Sequence, residues 1–371
     1  MKRLLFVDNL RIFLTALVVL HHLSLTYGAP GSWYYNETEA GLPEIVPMIL
    51  FVASNQSFFM GMFFLISAFF MVPSLERKGT SRFLKERLLR LGIPMLVFYF
   101  LISPLTIFLL VKFIRGEQIS FFRFMAESRG QNIGPMWFVL ALLLFSLIYL
   151  LMQRFRRPER QRRPLPLPGV VPVLLFALLT GIGQYLIRIR LPVGWSMPLT
   201  NFQFPFFLQY ILWFIIGVVA WRNQWITAIT PRMGWRWFTL AQIMIFVGMP
   251  LLLFLGNVFE TGTEPVAGGG TWQSLGYAVW EQITGISLMI GLFGIFQSRF
   301  NRQGKLLEHL SASAYTVYII HPLVLVALCL LIRDLSMNPL LKFMVAAPFA
   351  LAACFLTAWV IRRLPLAKKI L

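Results

Sequence analysis

Apolar residues dominate about ten long runs of this chain, and short polar segments separate the runs. The runs lack the alternation of apolar and polar residues that marks a half-exposed strand, so each one predicts a helix. Most of the runs have a length near the roughly 20 residues that a helix needs to cross a hydrocarbon core. The runs lie at roughly residues 12–28, 47–72, 92–114, 134–153, 169–187, 205–221, 236–256, 275–296, 312–333 and 340–361. The pattern predicts an all-α, polytopic membrane helix bundle of about ten transmembrane helices and not a β-barrel.

The composition of the chain supports an integral membrane protein. Of its 371 residues, 58% are hydrophobic and 13% are charged, and the mean hydropathy is +0.74. A soluble domain of this length would not have such a composition. We therefore expect one integral membrane domain over residues 1–371, held in membrane lipid. We expect that the first helix is not cleaved off as a signal peptide, because Asp8 and Arg11 interrupt the apolar pattern of such a peptide. An Arg- and Pro-rich segment at about 154–168 separates the first four helices from the last six.

Basic residues are distributed unevenly between the predicted loops. The net charge is +19, and most of the 33 Lys and Arg residues lie at the N-terminus, after helices two, four, six and eight, or at the C-terminus. Cytoplasmic loops of membrane proteins carry such an excess. The pattern predicts that both termini are cytoplasmic. The charge is thus a topology signal and gives no reason to expect a nucleic-acid partner, although basic loops can also hold an anionic ligand.

The two cysteines of the chain do not indicate a special site. Cys329 and Cys354 both fall in predicted helices. This position indicates neither a disulfide framework nor a metal site. We therefore expect no bound metal.

Ionisable residues inside the predicted helices are the first candidates for chemistry, because they are costly at membrane depth without a function. At a rise of 1.5 Å per residue, His22 lies about 15 Å along the first helix from Ile12, and His321 reaches a similar depth in the ninth. Both helices enter from the predicted cytoplasmic side, so the two imidazoles can meet at one level. Glu281 lies nearer the outer side, in the eighth helix. His21 points about 100° away from His22 and is expected to be structural.

The alternative for each of these residues is a polar group that only bonds a neighbouring helix. For His321 this alternative has a specific reason, because Pro322 frees a backbone carbonyl that needs a partner. Asn55 and Gln56 in the second helix present the same choice, since they can line a cavity or bridge helices.

Four basic residues lead into the third predicted helix, namely Arg82, Lys85, Arg87 and Arg90. Arg87 and Arg90 are three residues apart, which places them on one helix face. Pro94 is expected in the first turn of that helix. The cluster can grip an anion, or it can simply anchor the loop in the cytoplasm. Loop charge alone favours the anchor.

Aromatic and acidic residues mark the predicted outer loops. Trp33, Tyr34 and Tyr35 lie in the first of these loops beside several glutamates, and Trp272 lies in the fourth. Aromatic faces and carboxylates are groups that bind sugars, but Trp and Tyr are also enriched at membrane interfaces. We expect these aromatics to form an interfacial belt.

Five short motifs occur in order along nearly the whole chain. They are Asp8-Asn9-Leu10-Arg11 with His22 fourteen residues after Asp8, Phe63-Phe64-Leu65-Ile66-Ser67-Ala68-Phe69, Arg87-Leu88-Leu89-Arg90-Leu91-Gly92-Ile93-Pro94, Trp137-Phe138, and Leu310-Ser311 with Tyr315, Tyr318 and His321-Pro322. Together they resemble the membrane acyltransferase type 3 family. The Arg-x-x-Arg-x-Gly-Ile-Pro form looks most like the glucan succinyltransferase branch. Ala68 replaces a glycine usual in the family, which puts no catalytic group in doubt.

The resemblance implies a membrane-bound O-acyltransferase of a bacterial inner membrane. It would move an acetyl or succinyl group from cytoplasmic acyl-CoA across the bilayer to a hydroxyl of an extracytoplasmic glycan. Acyl-CoA is then the donor substrate, and no cofactor is permanently bound.

Roles for individual residues follow from the same resemblance together with their depths. His22 is the expected catalytic base, and Arg11, Arg87 and Arg90 are expected to pair with the phosphates of acyl-CoA. Asp8 should pair with Arg11 and not act as a base, because it lies about 21 Å from His22 along a helix. The residues expected to line the cavity or contact the acceptor are His321, Glu281, Tyr315, Tyr318, Trp137, Asn55 and Gln56.

A transporter or flippase for an anionic metabolite or a lipid-linked sugar is the alternative function. It would use the same histidines as proton relays and the basic mouth as an electrostatic funnel. Composition and topology do not separate the two functions, and only the ordered motifs favour the enzyme. Either protein is compatible with a homo-oligomer.

Overall fold

The computed structural model of this chain describes residues 3–127, 130–155 and 164–370. Within these ranges the regular structure is entirely helical, and ten helices are long and apolar enough to cross a membrane. They are α1 (Leu5–Thr26), α2 (Pro43–Lys78), α3 (Thr80–Phe113), α4 (Gly134–Phe155), α5 (Val170–Arg188), α6 (Phe204–Asn223), α7 (Pro231–Leu255), α8 (Trp272–Arg299), α9 (Lys305–Leu331) and α10 (Pro339–Ile361). Short helices occur at Phe121–Ala126, Trp225–Ala228, Val258–Thr261, Glu264–Ala267 and Pro365–Ile370. The predicted all-α, multi-pass membrane fold is confirmed.

Several helices extend beyond the apolar runs that predicted them. α1 begins at Leu5, so Asp8 and Arg11 lie within the helix. α3 begins at Thr80, so the basic cluster at 82–90 is helical and does not form a loop. Lys, Arg and Glu are good helix formers although they lower local hydropathy. An apolar run therefore marks the lipid-embedded part of a helix and not its ends.

Three prolines inside the long helices, Pro94, Pro104 and Pro250, coincide with a local widening of the backbone. In α3 the segments Leu88–Gly92 and Phe98–Ile102 are π-helical, and each ends two residues before a proline. In α7 the π-helical segment Met244–Gly248 stands in the same relation to Pro250. A proline has no N–H for the carbonyl four residues earlier, and its ring crowds that carbonyl, so a wider turn relieves the clash. The prediction that Pro94 lies in the first turn of a helix is wrong, because α3 continues through it.

α8 is the most enclosed of the ten helices and packs against α1, α2, α5 and α7. α2 also packs along α6, and α9 packs against α1, α3 and α10. Two glycines allow very close approach: a methyl group on Gly285 would lie 2.2 Å from the Ser57 carbonyl oxygen, and one on Gly217 would lie 2.3 Å from the Leu65 carbonyl oxygen. Small residues at crossings are a common way for membrane helices to pack tightly.

The first and last described parts of the chain lie at one end of the bundle. Arg3 and Arg362 line the same cavity there, and Arg3 lies 3.8 Å from a carboxylate oxygen of Glu308 near the start of α9. We call this the basic end and the other the opposite end. That the basic end faces the cytoplasm stays a prediction from the loop charges. In the Arg- and Pro-rich segment, positions 156–163 lie outside the described residues.

A buried ion pair joins α5 to α8 where α5 reaches the opposite end. Arg188 Nη2 donates to Glu281 Oε2 at 2.7 Å, and both side chains are fully buried. The guanidinium carbon lies 4.9 Å from the ring centroid of Phe206 and 5.4 Å from that of Tyr277. Neither charge is tolerated alone in such surroundings, so each side chain depends on the other.

Glutamine side chains extend this contact across the bundle. Gln282 of α8 donates to Gln209 Oε1 of α6 at 2.8 Å and also to Gln184 of α5. Gln56 of α2 donates to the Tyr210 hydroxyl at 3.1 Å. Such bonds satisfy polar groups that lipid cannot satisfy. We refer to Arg188, Glu281, Gln184, Gln209 and Gln282 as the Arg188–Glu281 cluster.

The ion pair makes a prediction about stability. Glu281→Ala leaves the Arg188 guanidinium buried without its carboxylate, which should cost about 3–5 kcal/mol. Replacing both charges together, Arg188→Met with Glu281→Leu, should recover most of that loss, because no unpaired charge remains. Thermal unfolding of the purified protein in detergent measures both effects. Glu264→Ala is the control, because Glu264 is exposed at the start of the short helix Glu264–Ala267. An unchanged unfolding temperature for Glu281→Ala would contradict the prediction.

Candidate active site

A cavity of about 590 Å³ lies at the basic end between α1, α2, α3, α4 and α9. This volume is within the range of about 300–1,000 Å³ that is usual for small-molecule sites. Its basic lining residues are Arg3, Arg11, Lys78, Arg87, Arg90 and Arg362. Only two acids, Asp8 and Glu86, line it as well, so the cavity keeps a positive charge within the described part of the chain. Such a cavity suits an anionic ligand.

The acids of the cavity already have basic partners. Asp8 accepts from Arg3 Nε at 2.6 Å, and its second oxygen lies 3.9 Å from Arg11 Nη1. The hydrogen bond to Asp8 raises the pKa of Arg3. Glu86 contacts Lys78 and accepts from Arg82 Nε at 3.1 Å. The expected pairing of Asp8 with Arg11 is confirmed, with Arg3 as a further partner.

Arg87 and Arg90 both line the cavity, so they lie on one face of α3, as their spacing predicted. Arg87 Nε donates to Ser146 Oγ of α4 at 3.1 Å, while Nη2 is buried and has no hydrogen-bond partner in the described ranges. The Arg90 side chain is exposed. Its carbonyl is the one that Pro94 leaves without an N–H donor, and the Tyr315 hydroxyl donates to it at 3.0 Å. Tyr315 therefore joins α9 to the basic cluster.

One face of α1 leads from the cavity towards the centre of the bundle. Asp8, Thr15 and His22 follow each other at intervals of seven residues, which is about two helical turns, and the first two line the cavity. His22 itself lies about 10 Å beyond Thr15 along the axis and is not part of the lining. Phe63, Phe138 and Tyr318 are aromatic lining residues, and Phe138 lies 5.9 Å from Phe63 and 5.8 Å from Tyr318 between ring centroids.

The two intramembrane histidines of α1 and α9 are in contact. His321 Nε2 lies 3.0 Å from His22 Nδ1, and the rings are nearly parallel with centroids 4.9 Å apart. His321 is fully buried, whereas His22 keeps some accessible surface. The expectation that both imidazoles reach one level is confirmed.

Hydrogen bonding determines which nitrogen of each neutral ring carries the proton. Pro322 leaves the Tyr318 carbonyl without its helical N–H, and His321 Nδ1 lies 2.7 Å from that oxygen. A carbonyl only accepts, so Nδ1 of His321 carries hydrogen and its Nε2 accepts. His22 Nδ1 must then donate to His321, which leaves Nε2 of His22 unprotonated. The pair therefore presents one basic nitrogen on His22.

Aromatic rings also contact His22 and its neighbour His21. Trp33 lies flat on His22, with ring centroids 3.9 Å apart and planes 15° apart. The expectation that Trp33 belongs to an interfacial belt is wrong, because the ring is inserted into the bundle and its Nε1 is buried. His21 is buried against Phe59, with centroids 5.1 Å apart, which agrees with a structural role.

Five residues expected at the cavity lie outside its lining, whereas Tyr315 and Tyr318 line it. One of the five is His321, which contacts His22. Glu281 is in the Arg188–Glu281 cluster, and Gln56 bonds Tyr210. Asn55 is buried outside the lining, and Trp137 stacks on Tyr210 with centroids 5.4 Å apart. Glu281, Gln56 and Trp137 therefore contact neighbouring helices, whereas the Asn55 amide nitrogen is buried and has no hydrogen-bond partner within the described ranges.

Sequence reasoning missed Thr15, Ser146 and the placement of Trp33. Thr15 has a signal in the sequence, because it stands midway between Asp8 and His22 at the helical repeat. Ser146 has none, since its bond to Arg87 joins helices 59 residues apart in the chain. Within the described ranges no group of three or more His, Cys, Asp or Glu side chains could hold a metal ion. Cys329 and Cys354 are both unpaired and buried.

Comparisons with known proteins identify what the chain is similar to. A family model described as an acyltransferase domain matches residues 4–361. Proteins named Glucans biosynthesis protein C from Shigella dysenteriae serotype 1 (strain Sd197), Escherichia coli O6:K15:H31 (strain 536 / UPEC) and Escherichia coli (strain K12) are each 25% identical to it over 333 residues. These matches cover 86% of this chain and 81% of each relative. No solved structure matches the chain significantly.

Proposed function

Because the chain belongs to the acyltransferase domain family, it is a membrane acyltransferase, and we propose that it transfers a short acyl group from acyl-CoA to a hydroxyl of a glycan. The observation that carries the proposal is the face of α1 that leads from a basic cavity to the His22–His321 pair. The arginines of the cavity can bind the phosphates of the donor. The histidine pair, which lies deeper in the bundle than the cavity, supplies a base. A transporter loses its support, because the ordered motifs belong to an acyltransferase family.

The donor in this proposal is acyl-CoA, held by its phosphates. Arg87 has a guanidinium nitrogen free of protein partners, Arg90 is exposed, and Arg11 lines the same cavity. Charge-assisted hydrogen bonds from arginine to phosphate are among the strong ones. The narrow pantetheine arm then passes Phe63, Phe138 and Tyr318 to bring the thioester to His22.

The reaction uses His22 Nε2 as a general base. The acceptor hydroxyl gives its proton to that nitrogen while its oxygen attacks the thioester carbonyl carbon. The carbon–sulfur bond breaks, and the departing thiolate takes the proton from the His22 imidazolium. The products are an ester on the acceptor and free CoA. His321 touches no reacting atom and is a positioning residue, because its Nε2 accepts from His22 Nδ1 and holds the tautomer that keeps Nε2 of His22 free.

The acceptor and the acyl group are proposed from the relatives. Their name, Glucans biosynthesis protein C, points to a glucan as the acceptor. An acetyl or succinyl group is the proposed cargo. The basic end is taken to face the cytoplasm of a bacterial inner membrane, where acyl-CoA is available, and the glycan is taken to meet the opposite end.

The histidine pair gives the first test of this function. His22→Ala should abolish transfer, because a general base contributes a factor of about 10² to 10⁴ in rate. His321→Ala should lower kcat strongly, and His321→Gln should restore part of it, because the glutamine oxygen can accept from His22 Nδ1. Purified protein is assayed for thiol release from acetyl-CoA and succinyl-CoA with glucose oligosaccharides as acceptors.

Two histidine variants serve as controls in that assay. His21→Ala should cost less than His22→Ala, and the exposed His309→Ala should behave as wild type. Near-normal turnover of a folded His22→Ala protein would remove His22 from the mechanism. Equal losses for His321→Gln and His321→Ala would argue against its positioning role.

The basic cavity gives a second test, on donor binding. Arg87→Ala or Arg90→Ala should weaken CoA binding roughly 10- to 100-fold, the worth of a hydrogen bond between charged groups. Lysine at either position should rescue only in part, because an ammonium cannot form the two-pronged contact of a guanidinium. Titration calorimetry measures the affinity. Arg82→Ala is the matched control, since Arg82 is on the same helix outside the lining, and unchanged affinity in both test variants would mean that the two residues only anchor α3.

Sidedness gives a third test. In sealed vesicles with the basic end accessible, added acyl-CoA should label only acceptor enclosed in the opposite compartment, and free CoA should stay where the donor was added. CoA itself should not cross, because its phosphates would have to enter hydrocarbon at a cost of many kcal/mol. Labelled acceptor and free thiol are measured in each compartment. Movement of an unmodified substrate without thioester cleavage would favour a flippase.

A further inference from the structure

The segment between α1 and α2 folds back into the bundle from the opposite end. It carries Trp33, whose indole is parallel to His22 and also within 11° of the plane of His321, at a centroid distance of 5.8 Å. Tyr34 meets the indole edge-on, with centroids 5.1 Å apart. Burial raises the pKa of the Tyr34 phenol to about 12, so it stays neutral. One tryptophan of this segment therefore stacks on both histidines.

The segment is held at its base by a buried ion pair. Lys342 of α10 pairs with Glu37 and also donates to the carbonyls of Arg333 and Leu335 at 3.1 and 2.9 Å. The backbone N–H of Glu37 donates to the Thr26 carbonyl at 2.8 Å. Lys342 is only 4% exposed, so its charge depends on this one carboxylate. These bonds join the base of the segment to α1 and α10.

The two ends of the segment also touch each other. Gly28 has a φ of +104°, and a methyl group there would lie 2.6 Å from the Ala40 nitrogen. The segment between α1 and α2 is therefore a loop whose two ends are in contact, and Trp33 is one of the residues of this loop. Pro30 and Gly31, which precede Trp33, are exposed and are not enclosed by the bundle. Movement confined to this tip would uncover His22 without unpairing Lys342.

Water is the competitor that such a cover would exclude. With water in place of the acceptor, a water proton passes to His22 while the water oxygen attacks the thioester carbon. The carbon–sulfur bond breaks, and the departing thiolate takes the proton from His22, which gives a carboxylic acid and free CoA. This hydrolysis consumes the donor without acylating the acceptor, and a site that excludes water prevents it. We propose that Trp33 is the residue that favours the acceptor over water, a role that rests on the proposed function: the indole covers one face of His22 as a shield and narrows the access of water to the ring until a glycan hydroxyl displaces the indole.

Chemical modification tests the shield without any turnover. Diethyl pyrocarbonate carbethoxylates unprotonated imidazole, and mass spectrometry with fragmentation separates His22 from His21, with exposed His309 as the internal reference. Trp33→Ala should raise the rate at His22 relative to His309 about fivefold, the population change expected from losing one aromatic stack. Trp33→Phe should stay close to wild type, because it keeps a ring.

Two further variants keep the shield test decisive. Glu37→Gln loosens the base of the loop while leaving Trp33 in place, so it should also raise the rate at His22. Trp272→Ala removes another tryptophan near the opposite end, 54% exposed and away from both histidines, and should change nothing. An unchanged rate at His22 in folded Trp33→Ala and Glu37→Gln proteins would overturn the shield.

Turnover tests the consequence of the shield. Free CoA release from acetyl-CoA and succinyl-CoA is measured with and without glucose oligosaccharides. Trp33→Ala should raise acceptor-independent release about fivefold, so that the ratio of transfer to hydrolysis falls. An unchanged ratio would overturn the selectivity role. If wild type cleaves neither donor, the proposed function fails, whereas the modification result still decides whether Trp33 covers His22.

Discussion

A proline inside a membrane helix leaves a carbonyl without its N–H donor, and hydrocarbon offers no water to replace it. The candidate site depends on how this chain meets that constraint. Pro322 frees the Tyr318 carbonyl, and His321 Nδ1 takes it. The same bond leaves His321 Nε2 as an acceptor for His22. A backbone defect thus determines the protonation pattern of both rings. His321 therefore has a structural and a chemical role at once: Nδ1 bonds the Tyr318 carbonyl, and Nε2 accepts from His22.

The same constraint operates at the entrance to the site. Pro94 frees the Arg90 carbonyl, and the Tyr315 hydroxyl of α9 donates to it. α9 therefore supplies both the partner of His22 and a contact that ties α9 to the basic helix. The donors to both freed carbonyls, His321 and Tyr315, are side chains of α9. The cavity and the histidine pair are therefore parts of one framework. A shift of α9 would disturb both.

Polar groups elsewhere in the bundle are kept apart from this framework. The Arg188–Glu281 cluster joins α5, α6 and α8, and its ion pair is fully buried. A charge in lipid surroundings needs a partner more than it needs a cavity, so intramembrane burial alone does not distinguish a structural carboxylate from a reacting one. His22 differs by keeping accessible surface and by having one unprotonated nitrogen.

The sequence by itself determined the ten helices, the all-α fold, the family and the common depth of His22 and His321. Apolar length and a constant rise per residue specify position along a helix axis, and the i,i+3 spacing sufficed for Asp8 with Arg11. It did not determine which helices face each other. Arg188 meets Glu281 across 93 residues, and Trp33 leaves the expected interface for the face of His22. Only tertiary structure decided these contacts, because the rotation of a helix about its axis and the path of a loop are set by packing against neighbours that no local pattern encodes.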